Sequence, residues 1–296
     1  MKLDEELKNR ITKELSLYHS DNSKTFLLNE IGTSKLEREL KDFLSTREEG
    51  ILTRKGESFR QDKLEWLQRL IEKENPNFKI QSSTLSEVEW GTHPYTNYSL
   101  WSNRYYPNEK EKSYLFKYQT ENIKSINYFL STAKKSKSRD RILNRINYLK
   151  NGIIRYVGNG DKYLKSNELL KLYDSSYISI ILESTYNTNR FIGDCILFSE
   201  KTPIGFHTNT LPIILGNRFL NDNLKRLGFF TMNDYFGLDD SSDYAESELV
   251  NIIRKIDSSS SDDIENLYNN HIGNIKSNSE LQMEIFNLNN SLVSYV

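Results

Sequence analysis

Residues 177–185 read YISIILEST, a nearly continuous apolar run that ends in a glutamate and two small hydroxyl residues. Such a run is typical of a strand that is buried on both faces, as in a parallel sheet covered by helices. A second run of this kind, LPIILG, follows at 211–216, and the helical pattern NELLKLYD precedes the first run at 167–174. Strands that alternate with helices at this spacing predict βαβ units and an α/β fold.

The same alternation extends outward from these strands in both directions. Further strands are predicted at 114–118, 125–132 and 152–158, and helices at 138–150, 219–228, 246–256 and around 278–292. Because ligands of open α/β sheets bind at the carboxyl ends of the strands, the residues after each strand are the first candidates for a site. We expect a parallel-sheet lobe over 121–257, followed by a tail and helix at 258–296 that pack back onto it.

The first 120 residues carry a weaker signal for parallel strands. Amphipathic helices are predicted at 1–16, 34–46 and 60–74, and short strands at 24–28 and 78–81. Residues 82–112 are aromatic, polar and rich in turn residues, which indicates either a long packed loop or an acceptor-binding surface. We therefore expect residues 1–120 to form a smaller, helix-rich lobe.

The composition favours a globular cytoplasmic protein. No apolar stretch approaches the roughly 20 residues that cross a bilayer, and the charged start MKLDEELKNRITKEL has no apolar core of an export signal. The single cysteine, Cys195, excludes an internal disulfide framework. The net charge is −1, but residues 121–165 contain 11 basic and 3 acidic side chains, which is either a phosphate-facing surface or an ordinary solvated face.

Three segments together resemble a known family. They are LESTYN at 182–187, FSEKTPIGFHTNTLPIILG at 198–216 and FLNDNLKRLGFFTMNDYFGLDDSSDYAES at 219–247. In this order and spacing they resemble the donor-binding half of fucosyltransferase-like enzymes, and most closely a set of phage and bacterial glycosyltransferase-like proteins. The resemblance covers about residues 122–256. It implies a GT-B-like architecture with a C-terminal Rossmann-like lobe that binds a nucleotide sugar.

The resemblance also implies roles for individual residues. Glu200 and Lys201 match the family's contacts to the sugar–ribose and phosphate parts of the donor. An arginine that contacts the diphosphate matches Arg139 or Arg141, and the spacing to the following apolar residues slightly favours Arg139. The complete set of predicted donor-binding residues is Arg139, Arg141, Glu183, Ser184, Thr185, Ser199, Glu200, Lys201 and Thr202.

The reaction implied is displacement at the anomeric carbon of the donor, inverting and independent of a metal or other cofactor. The general base is expected in the aromatic loop, where Glu87, Glu89 and His93 are the candidates. The acidic residues after 238 match a turn, so no metal site is predicted. Neither a membrane span nor an obligate protein partner is expected.

Three functions remain open on the sequence. The first is a glycosyltransferase with a saccharide or glycoside acceptor. The second transfers the sugar to a hydroxymethylated base of phage-type DNA, which the basic segment permits. The third is a relative that binds a nucleotide or glycan without catalysis, because a fold alone does not specify an activity. The sugar, the nucleotide and the oligomeric state are equally open.

Overall fold

The computed structural model describes residues 25–27, 34–53, 61–81, 120–121, 123–132, 136–156, 166–183, 201–216, 220–226 and 228–293. The chain divides into two compact units, one formed mainly by residues 3–104 and the other mainly by 105–187 and 198–284. The helix predicted at 1–16 and the strand predicted at 114–118 lie outside the described residues. The domain limits predicted at 120 and 257 stay predictions.

The described residues between 25 and 81, which belong to the first unit, form a small three-stranded sheet with two helices. Its elements are β1 (Thr25–Leu27), α1 (Ser34–Ser45), β2 (Gly50–Thr53), α2 (Gln61–Glu74) and β3 (Phe78–Gln81). All three strands are parallel, in the order β1-β2-β3. The core consists of apolar residues of α1, β2, α2 and β3, namely Leu40, Phe43, Leu44, Leu52, Leu67, Leu70, Ile71 and Phe78. Strand β2 was not predicted, because its apolar residues Ile51 and Leu52 are adjacent and lack the apolar–polar alternation seen in β3.

The second unit contains a four-stranded sheet in which every strand is parallel. Its strands are β4 (Ile126–Thr132), β5 (Ile153–Tyr156), β6 (Ser176–Leu182) and β7 (Leu211–Leu215), in the order β5-β4-β6-β7. The remaining helices of the described chain are α3 (Lys137–Leu143), α4 (Ser166–Asp174), α5 (Lys201–His207), α6 (Leu220–Arg226), α7 (Asn233–Phe236), α8 (Ala245–Ser258), α9 (Ser261–Asn270) and α10 (Ile272–Val293). The predicted α/β class with a parallel sheet is confirmed.

The order of the strands reverses between β4 and β6. The chain passes from β4 through α3 to β5 on one side, and then through α4 to β6 on the other side of β4. Helix α3 packs on the face that holds Tyr128 and Leu130, whereas α4 packs on the face that holds Phe129. Helices therefore leave β4 and β5 toward opposite faces, which creates a topological switch point. Its crevice, outside the carboxyl ends of β4 and β6, is the usual ligand position in such sheets.

Two helices show where the sequence-based predictions failed. The helix expected at 138–150 ends at Leu143, and the chain continues in turns whose N–H groups bond carbonyls three residues back. Helix α9 was missed because its sequence is rich in Ser, Asp and Asn, although Ser260 caps it through a bond from the Asp263 N–H at 3.1 Å. Among the described residues, none of the helices combines the length and apolarity needed to cross a bilayer.

Side-chain amides complete the outer edge of the sheet. The Asn233 amide accepts from the Ile214 N–H at 2.9 Å and donates to the Ile214 carbonyl at 2.7 Å. The Asn278 amide bonds both backbone groups of Phe230 in the same way, at 2.7 and 2.8 Å. Asn233 thus replaces the backbone of a neighbouring strand, so β7 presents fewer free groups for pairing with another chain, and Asn278 does the same for the segment that precedes α7.

The Tyr128 ring lies directly against the backbone of Gly152. A Cβ atom added at Gly152 would stand 2.4 Å from Cζ of this fully buried ring. The ring is held in place because its hydroxyl donates to Asp257 Oδ1 at 2.9 Å, and the Asn151 N–H donates to the same oxygen at 2.8 Å. Glycine at position 152 is therefore required by a close approach between strand β4 and the start of β5.

We expect Gly152→Ala to lower the free energy of unfolding by about 1–3 kcal/mol, because the extra carbon overpacks a rigid site. Urea denaturation followed by circular dichroism measures this change. Gly273→Ala is the matched control, since a Cβ there meets nothing within 4 Å and alanine favours the helix. Equal stabilities of the two variants would contradict the packing argument.

Lys124 joins three elements at the amino end of the sheet. Its ammonium group donates to the carbonyls of Asp174 at 2.8 Å and Thr208 at 3.0 Å, and it lies 5.4 Å from the centre of the Tyr268 ring. These carbonyls end helices α4 and α5, where the helix dipoles favour a cation. Burial nevertheless lowers the pKa of Lys124 to about 8, against the opposing attraction of the Asp174 carboxylate.

This pKa predicts how stability depends on pH. Between about pH 8 and the ordinary lysine pKa of 10.5, the unfolded chain keeps a proton that folded Lys124 has lost. The free energy of unfolding should therefore rise with pH in this window, by on the order of 3 kcal/mol relative to Lys124→Met. Denaturation midpoints of both proteins from pH 7 to 10 test this. Parallel curves would show that Lys124 stays protonated in the folded chain.

Candidate functional site

Charged side chains are buried at the carboxyl end of β6, beside the switch point. Glu183 directly follows this strand and is 1% exposed. Its backbone N–H donates to the Leu215 carbonyl at 2.9 Å, so the residue is still held by the sheet. A carboxylate in such a position is costly unless hydrogen-bonded, and buried ionisable groups in a cleft indicate a functional site.

Arg139 reaches the same end of the sheet from helix α3. The Ser136 hydroxyl caps this helix by accepting from the Arg139 N–H at 3.2 Å, which places the arginine in the first turn. Its side chain is 3% exposed, and Nη2 donates to the Leu182 carbonyl at 3.4 Å. The guanidinium therefore lies at the last residue of β6, immediately before Glu183.

Arg141, the alternative to Arg139, points elsewhere. Its Nε and Nη2 atoms donate to the two carboxylate oxygens of Glu246 at 2.8 and 2.5 Å. The Arg141 side chain is 52% exposed, and the pair connects α3 with α8 on the outside of the fold. Of the two arginines offered by the sequence, Arg139 is the one at the switch point.

Helix α5 supplies the third part of the site. All seven of its side chains are buried, including those of Lys201 and His207. The Thr202 hydroxyl donates to Glu183 Oε1 at 2.6 Å, which fixes one carboxylate oxygen. The helix approaches β6 closely because Gly205 lies over Ser179, where a Cβ would meet the serine oxygen at 3.0 Å. Lys201 and Thr202 begin this helix, so both are positioned by the same close packing.

The carboxyl edge holds two polar residues that the sequence reading missed. Thr132 ends β4 and is 1% exposed, and Arg155 lies near the end of β5. Arg155 follows Ile153 by two positions, so it shares the face on which Ile153 packs against Phe129. Thr132 could have been found as the polar residue that ends the strand predicted at 125–132, whereas Arg155 lies inside the strand predicted at 152–158. The basic segment thus brings Arg139 and Arg155 to one edge from opposite faces.

The remaining predicted site residues lie outside the described residues. They are the general-base candidates Glu87, Glu89 and His93, and the donor-binding candidates Ser184, Thr185, Ser199 and Glu200. Their roles stay predictions. Of the predicted donor-binding residues, the structure brings Arg139, Glu183, Lys201 and Thr202 to the switch-point end of the sheet.

The acidic segment after α7 stabilises a turn. Asp239 Oδ1 accepts from the backbone N–H of Ser241 at 2.8 Å and from its hydroxyl at 2.6 Å. Asp240 Oδ2 accepts from the Asn221 N–H at 2.8 Å and so binds the start of helix α6. No group of three or more His, Cys, Asp or Glu side chains within the described segments is arranged to hold a metal ion.

Fold and site together define the class of this protein, an α/β protein with buried charged side chains at the switch-point end of a parallel sheet. No family model, no curated protein and no solved structure matches the chain. The resemblance to fucosyltransferase-like enzymes therefore depends on the quoted segments alone and stays a prediction.

We expect Thr202→Val to lower the free energy of unfolding by about 2 kcal/mol. Valine has the shape of threonine but no hydroxyl, so the buried Glu183 carboxylate loses a hydrogen bond. Thr202→Ser keeps the hydroxyl and serves as the control. Chemical denaturation of the three proteins at pH 7 provides the comparison. If valine and serine cost the same, the hydrogen bond to Glu183 contributes nothing.

Proposed function

We propose that this chain is a glycosyltransferase that binds a nucleotide-sugar donor at the carboxyl ends of β4 and β6 and transfers the sugar to a hydroxyl acceptor. The observation that carries the proposal is that buried Arg139, Glu183 and Lys201, from three different elements, lie at the switch-point end of a parallel sheet, where Thr202 beside Lys201 bonds Glu183. Open α/β sheets bind nucleotides at this position. The ordered segments that resemble fucosyltransferase-like enzymes supply the sugar chemistry.

The proposed roles follow from charge and position. The bond between the anomeric carbon and the donor diphosphate breaks through an oxocarbenium-like transition state, and negative charge develops on the leaving diphosphate. Arg139 and Lys201 stabilise this charge, because fixed cations in a buried site need no reorganisation during the reaction. A guanidinium also binds two phosphate oxygens at once. Glu183, fixed by Thr202, accepts hydrogen bonds from hydroxyl groups of the donor.

The acceptor side of the proposal comes from the sequence. A base among Glu87, Glu89 and His93 removes the proton of the acceptor hydroxyl, whose oxygen bonds to the anomeric carbon from the opposite face. The configuration is thereby inverted. The proposal further includes a GT-B-like pair of lobes, a cytoplasmic location, and a saccharide or glycoside as acceptor. A hydroxymethylated DNA base is the alternative acceptor.

The two arginines of α3 provide a matched test of the donor site. Melting temperatures are measured with UDP, GDP, CMP and dTDP and their common sugars for the wild type, Arg139→Met and Arg141→Met. We expect one nucleotide to raise the wild-type melting temperature by several degrees, since a ligand of the folded state stabilises it by mass action. Arg139→Met should lose this shift and Arg141→Met should keep it.

The outcomes separate the possible functions. A shift that both variants keep would place the nucleotide away from the switch point and overturn the proposed site. The absence of any shift in the wild type would overturn donor binding altogether. Donor binding without transfer to any saccharide, glycoside or hydroxymethylated DNA would favour a binding protein without catalysis.

A further inference from the structure

Thr132, the last residue of β4, has a buried hydroxyl with no hydrogen bond. Its side chain is 1% exposed, and its Oγ1 atom finds no partner within the described part of the chain. A hydroxyl taken out of water without a partner destabilises a folded protein, and most buried polar side chains in proteins are hydrogen-bonded. Such an exception calls for an explanation at the place where it occurs.

Thr132 lies on the Arg139 side of the switch-point crevice. It follows Tyr128 and Leu130 by even steps, so it lies on the face of the sheet that α3 covers. The register pairs Leu130 with Ile180, and its continuation brings Thr132 opposite Leu182, whose carbonyl accepts from Arg139 Nη2. The Thr132 hydroxyl and the Arg139 guanidinium therefore both lie beside the end of β6.

Tyr156, the residue paired with Thr132 on strand β5, has a partner for its polar group. Across the sheet, Thr132 pairs in register with Tyr156, and the Tyr156 hydroxyl donates to Asp140 Oδ1 at 2.6 Å. Burial raises the pKa of Tyr156, and the hydrogen bond to the Asp140 carboxylate raises it further. The residue paired with Thr132 is thus hydrogen-bonded through its side chain, whereas the Thr132 hydroxyl bonds no residue that the structure describes.

We propose that Thr132 is a ligand-binding residue, whose hydroxyl donates a hydrogen bond to the same anionic phosphate oxygens that Arg139 binds. A guanidinium has donors only, so a group that it binds must be an acceptor, and it pairs most strongly with phosphate or carboxylate oxygens. A hydroxyl next to the guanidinium can donate to the same group. The inference rests on the proposed function, in which this group is the diphosphate of the nucleotide-sugar donor. Thr132 then completes a donor pair that spans the switch point.

This role predicts opposite effects on stability and on binding. In the protein without ligand, Thr132→Val removes an unsatisfied buried hydroxyl and should raise the melting temperature. The same change should weaken phosphate binding about ten- to a hundred-fold, the usual loss for a hydrogen bond to a charged group. A residue with a purely structural role would show the first effect without the second.

Gln282 offers a matched control for the effect on stability. It is 0% exposed on α10, and neither Oε1 nor Nε2 of its amide finds a hydrogen-bond partner among the described residues. Gln282→Met should raise the melting temperature for the same reason as Thr132→Val, yet leave phosphate binding unchanged. Thr132→Ser keeps the hydroxyl and should bind phosphate like the wild type.

The experiment measures melting temperatures and calorimetric binding of inorganic pyrophosphate and of UDP, GDP, CDP and dTDP. The proteins are the wild type, Thr132→Val, Thr132→Ala, Thr132→Ser and Gln282→Met. We expect Thr132→Val and Thr132→Ala to bind pyrophosphate and the nucleotide more weakly than the wild type, and the other two variants to bind them equally well. The alanine variant keeps the test valid if the valine variant does not fold.

Each outcome decides between the two proposals. Wild-type affinity in Thr132→Val or Thr132→Ala would overturn the role of Thr132 and leave the donor site standing. If the wild type binds pyrophosphate but no nucleotide, the proposed function fails, and the pyrophosphate affinities of the variants still decide on Thr132. If the wild type binds neither pyrophosphate nor any nucleotide, both proposals are wrong.

Discussion

The four parallel strands of the second unit must be buried on both faces, and this constraint determines where charge can lie. Helices α3 and α8 cover one face, and α4 and α5 cover the other. The polar residues inside the sheet are small and bonded locally, as when Ser179 Oγ accepts from Thr210 Oγ1 at 2.6 Å. Charged groups are therefore confined to the two ends of the strands. Because all strands run in one direction, each end collects residues from every strand.

The two ends of the sheet use their charges differently. At the amino end, Lys124 satisfies the carbonyls that end α4 and α5, so this cation closes the structure of the protein itself. At the carboxyl end, Arg139 and Glu183 come from neighbouring elements that meet where the chain reverses its winding. Ligand sites of such folds lie at carboxyl ends because the loops there follow the strands and diverge at the switch point. The same sheet thus separates an end whose cation completes the protein's own structure from the end at which we propose the ligand site.

The sequence was sufficient for the α/β class and for most elements of the second unit, because long apolar runs such as 177–182 alternate with helical patterns. It failed for β2, whose adjacent apolar residues show no alternation with polar ones. It also failed for α9, whose sequence is mostly polar and whose start is indicated only by the Ser260 cap. Among site residues, the sequence offered Arg139 and Arg141 and favoured Arg139 only slightly, since the two are two positions apart in one helix. Which one faces the sheet depends on where α3 begins, and that depends on the Ser136 cap and on packing.

Burial itself is the strongest argument that the carboxyl end has a function. Replacing buried ionic groups by apolar ones of similar size is often neutral or stabilising, so stability alone gives little reason to keep them. Helix α5 nevertheless begins with buried Lys201 and Thr202, and Thr202 donates to a carboxylate that is itself almost wholly buried. Thr132 adds a buried hydroxyl without a partner in the described chain at the same edge. Polar groups that stability alone would not retain therefore lie at the end of the sheet where the topology has its switch point, as expected of a site arranged for a charged ligand.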